Sequence, residues 1–256
     1  MEALIDELDP PKGTGRPRND PRKTLDAIVF RMRSGCQCNQ LPAELGDDSS
    51  AHRWFQRWRR VGLWDRLWGT LVEHCDALGA VQWEWQAADG AMGKARMGGG
   101  DIGRNPTDRG KNGTKKSLLV EGQGGPLGIV TAGAHVHDVR LLRPTLEAII
   151  VERPPPLRVP QHLCLDKAYD SPRGHLVTLA AGYLPHIRPV GEQRQDPKKP
   201  RHPPRRWVVE RTLSWLSKCR GLLCRYEKNP DNYLALLKLA CALLWYRRCW
   251  HLAQAG

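Results

Sequence analysis

No apolar run in this chain is long enough to cross a bilayer. The longest, from Tyr233 to Tyr246, is broken by Lys238 and falls short of the roughly 20 residues that a spanning helix needs, so it reads as a core helix. The first ten residues, MEALIDELDP, are acidic and lack the basic segment and apolar stretch of a secretory signal. Of the eight cysteines (36, 38, 75, 164, 219, 224, 241 and 249), only Cys36 and Cys38 form a close pair. No second pair completes a zinc-finger spacing, and the thiols read as free and reduced, as in a cytosol. No GxxxxGK[ST] occurs, which argues against a P-loop nucleotide site. Acid is also in deficit: 27 Asp and Glu stand against 40 Lys and Arg, a formal charge of +13. That balance points to a polyanionic partner, nucleic acid ahead of a membrane surface.

A chain of 256 residues can bury one sizeable core plus a small accessory unit. Residues 10–22, PPKGTGRPRNDPR, read as part of a flexible basic arm spanning 1–23. From Thr24 the pattern is helical, with Leu25, Ile28, Val29 and Met32 on one face and Gly35 closing the segment. A short helix is expected over 40–45, and a third helix starts with Ser49 or Ser50 as its N-cap. In that third helix Ala51, Trp54, Phe55, Trp58 and Val61 make an apolar stripe. His52, Arg53, Arg57, Arg59 and Arg60 occupy its other faces. A trihelical unit whose last helix is basic fits a helix-turn-helix, with Arg53 and Arg57 able to reach a DNA groove and Arg60 beside them. A solvated helix covering the core would show the same stripe. A fourth helix, 63–78, then links this unit, residues 24–79, to the domain over 80–256.

Residues 81–89, VQWEWQAAD, alternate as a strand does, and Asp89 closes it. The glycine-rich stretch 92–116 carries Lys94, Arg96, Arg104, Arg109, Lys111, Lys115 and Lys116 and reads as a flexible basic loop following a phosphate backbone. Strands over 117–121 and 127–131 make a hairpin. A helix over 139–151, a strand over 162–165 ending in Asp166, a helix over 171–181 and a strand over 183–190 follow. Residues 191–206 read as a Pro-rich basic loop. Two helices, 205–227 and 231–252, finish the chain. This order is that of an α/β ribonuclease-H-like domain, a mixed sheet flanked by helices, preceded by a small all-α helix-turn-helix-like domain.

Three acids occupy telling places in that order: Asp89 and Asp166 at strand ends, and Glu210 on a helix rich in arginine. The spacings, 166 − 89 = 77 and 210 − 166 = 44, leave room for the elements between. Phosphodiester chemistry needs one oxygen deprotonated and another stabilised, which two Mg²⁺ ions about 4 Å apart can do. Mg²⁺ takes hard carboxylate oxygens, so Asp89 could bridge two ions with Asp166 and Glu210 on either side. A surface ion pair is the plainer reading of Glu210 by itself.

Several motifs in one order are more specific than any acid alone. DG at 89–90, NPTDRGK at 105–111, VHD at 136–138, LDKAYDS at 165–171, RWVVERTLSWL at 206–216 and RYE at 225–227 together resemble bacterial insertion-sequence transposases of the DDE class, in the IS-four/IS-five superfamily. The resemblance covers essentially the whole chain. It implies a ribonuclease-H-like core with Asp89, Asp166 and Glu210 as catalytic acids and ligands of two Mg²⁺ ions, Mn²⁺ being the substitute. It also implies terminal inverted repeats and target DNA as partners, a homodimer or higher oligomer on DNA, and a cytoplasmic, nucleoid-associated setting. The implied reaction cleaves the element's ends and joins their 3′-hydroxyls to target DNA by transesterification. Arg206 would then grip a phosphate near the metals, and Arg104, Arg109, Lys111 and Lys218 would contact DNA. The chain departs from the superfamily's Tyr-Arg-Glu-Lys pattern: Pro203 takes the Tyr position, and Ser217 the Lys position with Lys218 one residue late. Ala91 and Ala168 replace a small polar residue and a glycine. A metal-dependent nuclease without strand transfer and an inactive DNA-binding relic are the other two readings.

Further residues carry weaker expectations. His135, His137 and Asp138 read as polar turn residues, with Asp138 marked by the resemblance as a support to the acids. His162 and Cys164 share a strand face with Asp166 and read as packed. Trp207 reads as core, with stacking on an unpaired base as the alternative. Lys167 and Tyr169 flank Asp166 as DNA contacts.

Overall fold

The computed structural model describes residues 1–11, 14, 18–187 and 205–255. Pro203, most of the loop expected over 191–206 and the end of the strand expected over 183–190 lie outside the described residues.

Four helices come first: α1 (Glu2–Leu8), α2 (Pro21–Ser34), α3 (Asp48–Arg60) and α4 (Leu63–Ala77). The first lies inside the stretch expected to be a flexible arm. It is anchored because Ile5 is buried in the core and because Asp9, just behind it, is gripped by Arg57 and Arg18. Helix α2 opens with Pro21, which has no amide to leave unpaired, and with Asp20 accepting from the Arg22 amide at 2.8 Å. It ends at Gly35, whose φ of 67° is the left-handed closure that glycine permits. Asp47, rather than Ser49 or Ser50, caps α3 by accepting from the Ser50 amide at 2.7 Å. Between α2 and α3, residues 35–47 contain two short 3-10 turns, a longer path than the three- or four-residue turn of a tight helix-turn-helix.

The sheet is built from β1 (Trp85–Ala95), β2 (Gly103–Arg104), β3 (Asn112–Glu121), β4 (Pro126–Gly133), β5 (His162–Leu165), β6 (Leu184–Ile187) and β7 (Cys224–Arg225). An antiparallel meander, β4-β3-β1, is extended on the far side of β1 by β5 and β6, both parallel. The order β4-β3-β1-β5-β6, with β2 added to β3 and β7 to β1, is the ribonuclease-H-like arrangement. The remaining helices are α5 (Asp138–Glu147), α6 (Pro172–Ala180), α7 (Trp207–Ser217), α8 (Arg220–Leu223) and α9 (Pro230–Ala255). No helix among the described residues is long and apolar enough to cross a membrane.

Three expectations are corrected here. The strand expected over 81–89 is displaced: β1 starts at Trp85 and does not end at Asp89 but runs on to Ala95, because its small residues admit close neighbours. A β-carbon on Gly90 would sit 2.5 Å from Asp138 Oδ1, and one on Gly93 would sit 3.1 Å from the Leu223 carbonyl. The stretch 92–116 is not a free basic loop. Lys115 and Lys116 are buried in β3, with Lys115 Nζ donating to the Val136 carbonyl at 2.7 Å and Lys116 Nζ to the Leu222 carbonyl at 3.1 Å. Residues 205–227 are not one helix either: α7 stops at Ser217, and a short α8 and β7 follow.

One hydrophobic core runs through both halves. Phe55, Trp58, Trp64 and Trp68 of the first helices join Leu118, Ile129, Leu213, Leu237 and Trp245 in a single cluster. The indole nitrogens of Trp68 and Trp245 both donate to the Pro126 carbonyl, at 3.2 and 2.7 Å, which ties α4 and α9 to the start of β4. Beside them Glu121 is fully buried. It accepts from the amides of Gln82, Gln123 and Gly125 and pairs with Arg248 at 2.9 Å, so its charge is satisfied rather than stranded.

Candidate active site

Parallel pairing places the first two acids together. The β1–β5 register ends at Ala87 opposite Cys164, and that parity, carried two residues further, points Asp89 and Asp166 the same way; Asp166 is among the charges that act on Asp89. Asp89 Oδ1 accepts from the Gly90 amide at 2.7 Å, and Asp166 Oδ1 from the Lys167 amide at 2.5 Å. Helix α7 lies over that face and brings Glu210 in its first turn.

Arg206, at the N-cap of α7, is the centre of the cluster. Its Nη1 lies 2.7 Å from Asp166 Oδ1 and its Nη2 2.5 Å from Glu210 Oε1. Burial raises the Asp89 carboxyl above its ordinary pKa. The Gly90 amide and Arg206 oppose that rise, while Asp166 and Glu210 reinforce it. Asp166 and Glu210 thus both act on Asp89, and all three acids act on the one guanidinium. Their oxygens are the donors that a hard divalent cation takes, although no three His, Cys, Asp or Glu side chains among the described residues are grouped closely enough to hold a metal as they stand. The guanidinium supplies positive charge at that point.

The opposite face of β1 is braced by Asp138, at the start of α5. Its Oδ1 lies 3.0 Å from Lys115 Nζ and fills the space a side chain at position 90 would need. Tyr169 is buried rather than presented to DNA, and the nearby Asp138, Asp89 and Asp166 add to the effect of burial in pushing its hydroxyl pKa up. Lys167 is exposed. His162 stacks on Trp85 with ring centroids 4.3 Å apart, and its Nδ1 meets His186 Nε2 at 2.8 Å. Arg205 lies over the other part of this stack, 4.1 Å from the Trp85 ring. Trp207 is not core: it is 52% exposed, with Arg211 held between it and Trp215 at 4.5 and 4.7 Å.

The basic residues expected to meet DNA divide into two groups. Arg53, Arg60, Arg104, Arg109, Lys111 and Lys218 are exposed. Arg57 is engaged by Asp9, with Nε and Nη2 each donating to its carboxylate at 2.6 Å, and Arg206 is engaged by the acids. Residues 104–111 form an ordered turn. Asn105 organises it, its amide donating to the Lys111 carbonyl at 2.8 Å and its carbonyl accepting from Gly110 at 3.0 Å. The neighbouring glycines are held by Arg225, which donates to the Gly100 and Asp101 carbonyls at 2.7 and 3.2 Å. The RYE motif at 225–227 thus owes its first residue to this loop, a role its sequence does not display. The one available signal was an arginine within an otherwise apolar stretch ahead of a helix.

Comparison with known proteins places the chain in a family. Residues 1–68 match a family described as "Putative transposase of IS4/5 family", and residues 69–245 match the family "Transposase DDE domain". A transposase from insertion sequence element IS402 of Burkholderia cepacia, itself so assigned by inference, is 36% identical over 163 residues, covering 61% of this chain and 72% of that protein. A second IS402 protein of the same organism, uncharacterised and of 16.2 kDa, is 31% identical over 112 residues, 41% of this chain and 76% of its own length. The Mos1 strand transfer complex superposes with a TM-score of 0.27 at 11% identity, covering 95% of this chain and 84% of that one, too weak a likeness to compare folds. The family match over 69–245 spans more than half of the chain, and the chain belongs to the DDE transposase family, whose members are polynucleotidyl transferases.

Proposed function

We propose that the chain binds the terminal inverted repeats of its own insertion sequence, frees 3′-hydroxyl ends and joins them to target DNA, with Asp89, Asp166 and Glu210 as the catalytic acids. The observation that carries this reading is the gathering of three carboxylates, from β1, the end of β5 and α7, around one arginine. A structural ion pair needs one acid per arginine. A surplus of acid on a basic protein makes sense where further cations are to arrive.

The three acids would hold two Mg²⁺ ions, or Mn²⁺ in their place, which when bound would supply activation of the attacking oxygen and stabilisation of the leaving one. The chain's own residues do the rest. Arg206 passes from the acids to a DNA phosphate, a planar fork matched to either anion. Asp89, burdened by burial and by its acidic neighbours, gains most from added positive charge. Exposed Arg53, Arg60, Arg104, Arg109, Lys111 and Lys218 neutralise backbone phosphates and set the salt dependence of binding. Joining two element ends to one target calls for at least two protomers on the DNA, working at the nucleoid in the bacterial cytoplasm.

The test is cleavage and joining of a labelled duplex bearing the element's terminal repeat with Mg²⁺, comparing the native chain with Glu210→Gln. Joined products from the native chain alone support the proposal. Cleaved but unjoined products identify a nuclease. Repeat binding with no products from either protein leaves a DNA-binding relic.

A further inference from the structure

Cys75 on α4 and Cys249 on α9 face each other with their sulfurs 2.8 Å apart, well inside the separation of two non-bonded sulfurs and a small side-chain rotation from the 2.05 Å of a disulfide. Cys75 is fully buried, Cys249 is half-buried, and both are free thiols. Neither belongs to the acid cluster. The two helices are already fixed by the shared Pro126 carbonyl and by Lys238, whose ammonium on α9 reaches Asp65 on α4 at 2.5 Å.

We propose that Cys75 and Cys249 form an oxidation-dependent cross-link, so that a small-molecule disulfide such as oxidised glutathione converts the α4–α9 packing into a covalent clamp. The half-buried Cys249 thiolate attacks one sulfur of glutathione disulfide, whose S–S bond breaks and releases one glutathione thiol. Cys75 then loses its proton to solvent and attacks the Cys249 sulfur of the mixed disulfide, releasing the second glutathione. Two protein thiols are oxidised and one glutathione disulfide is reduced. Burial and the hydrogen bond with Cys249 push the Cys75 thiol up to about 12, so ring closure is the slow step and quickens as pH rises. Because α4 leads out of the basic helical unit and α9 ends the chain, the bond spans a sequence separation of 174 residues. Long loops of this kind restrict the unfolded chain most.

The full chain is incubated with oxidised glutathione at pH 8, alkylated under denaturing conditions and mapped by mass spectrometry without reduction. The expected result is a Cys75–Cys249 linked peptide pair two hydrogens lighter than the free peptides. A melting temperature raised by several degrees should accompany it. Both should be reversed by dithiothreitol and absent from Cys249→Ser and from Cys75→Ala, each folded by circular dichroism. Full alkylation of both thiols after oxidation would overturn the proposal. So would glutathione persisting on Cys249 without closure, or a link formed chiefly between other cysteines.

Discussion

An ion pair of 2.7 Å joins Arg206, at the start of α7, to Asp166, just beyond β5. The same guanidinium reaches Glu210 one helical turn on, so a single residue sets the position of the helix against the strand that carries the other acid. Each pair is partly exposed and contributes little to stability by itself. Together they hold two acids close to Asp89, whose carboxyl both neighbours push up while Arg206 opposes them, an arrangement that further positive charge would relieve.

Asp89→Asn measures that effect. Burial holds the Asp89 carboxyl above its ordinary pKa, so the folded chain binds this proton more tightly than the unfolded chain. The associated stability is fully present below the unfolded value and is lost as pH rises through the folded one. The asparagine variant should therefore melt higher than the native chain at pH 7. The difference should shrink towards zero as pH falls to about 4. Mg²⁺ should raise the native melting temperature and leave that of the variant nearly unmoved. Thermal melts across pH, with and without Mg²⁺, check both statements.

Gly90→Ala should disturb the same strand from behind. The new β-carbon would lie 2.5 Å from Asp138 Oδ1, and Lys115 restrains that carboxylate from yielding. A loss of roughly 1–3 kcal/mol is expected, read by urea denaturation. Combined with Asp138→Ala, the two losses should add to less than their sum, since the second change removes the obstacle.

Lys116 has a pKa lowered to about 8 by burial, so the sign is opposite to that of a lysine gaining a partner. The unfolded chain binds its proton more tightly, and the charged form costs stability below about pH 8, a cost relieved as pH rises towards 10.5. Lys116→Met should be more stable than the native chain at pH 7, by about 1–3 kcal/mol. The advantage should fade above pH 8. The Leu222 carbonyl would not be stranded, because it also accepts from the Tyr233 hydroxyl at 2.8 Å.

Arg53 and Arg57 lie one turn apart on α3 and should behave differently. Arg57→Ala removes both hydrogen bonds to the buried Asp9 carboxylate and leaves it only the longer ion pair with Arg18 at 3.5 Å, and a loss of about 1–3 kcal/mol is expected. Arg53→Ala should leave stability within about 0.5 kcal/mol. It should weaken binding to repeat DNA and reduce the salt slope by about one. Chemical denaturation and filter binding over a salt series separate the two effects.

Much of this architecture was legible because its signals are local. The alternation of 81–89, of which 85–89 are strand, the stripe from Ala51 to Val61 and the acids near the ends of apolar runs each state a backbone period or a boundary. The run from Gly90 to Ala95 carries no such signal, since glycine and alanine show no period whether or not the strand continues. Lys115 and Lys116 misled for a related reason. A charged pair reads as surface unless the carbonyls that accept from it and the carboxylate that pairs with it are known, and Val136, Leu222 and Asp138 come from later elements. Arg57 looked free because its partner, Asp9, lies 48 residues earlier in the chain. The acids could be chosen from the sequence, but their dependence on Arg206 appeared only once β5 and α7 were set side by side.

The tryptophans of α3 and α4 share their packing with α9 and with the turn into β4, which bears on how such a chain can change over time. A reading head joined by a linker can be exchanged whole between relatives. Here an imported helical unit would have to reproduce the contours of Trp58, Trp64 and Trp68 against a foreign C-terminal helix, and would leave voids or clashes where it failed. If the unit reads the repeats as proposed, new binding preferences are more accessible through exposed positions such as Arg53 and Arg60, one side chain at a time, than through transfer of the unit as a cassette.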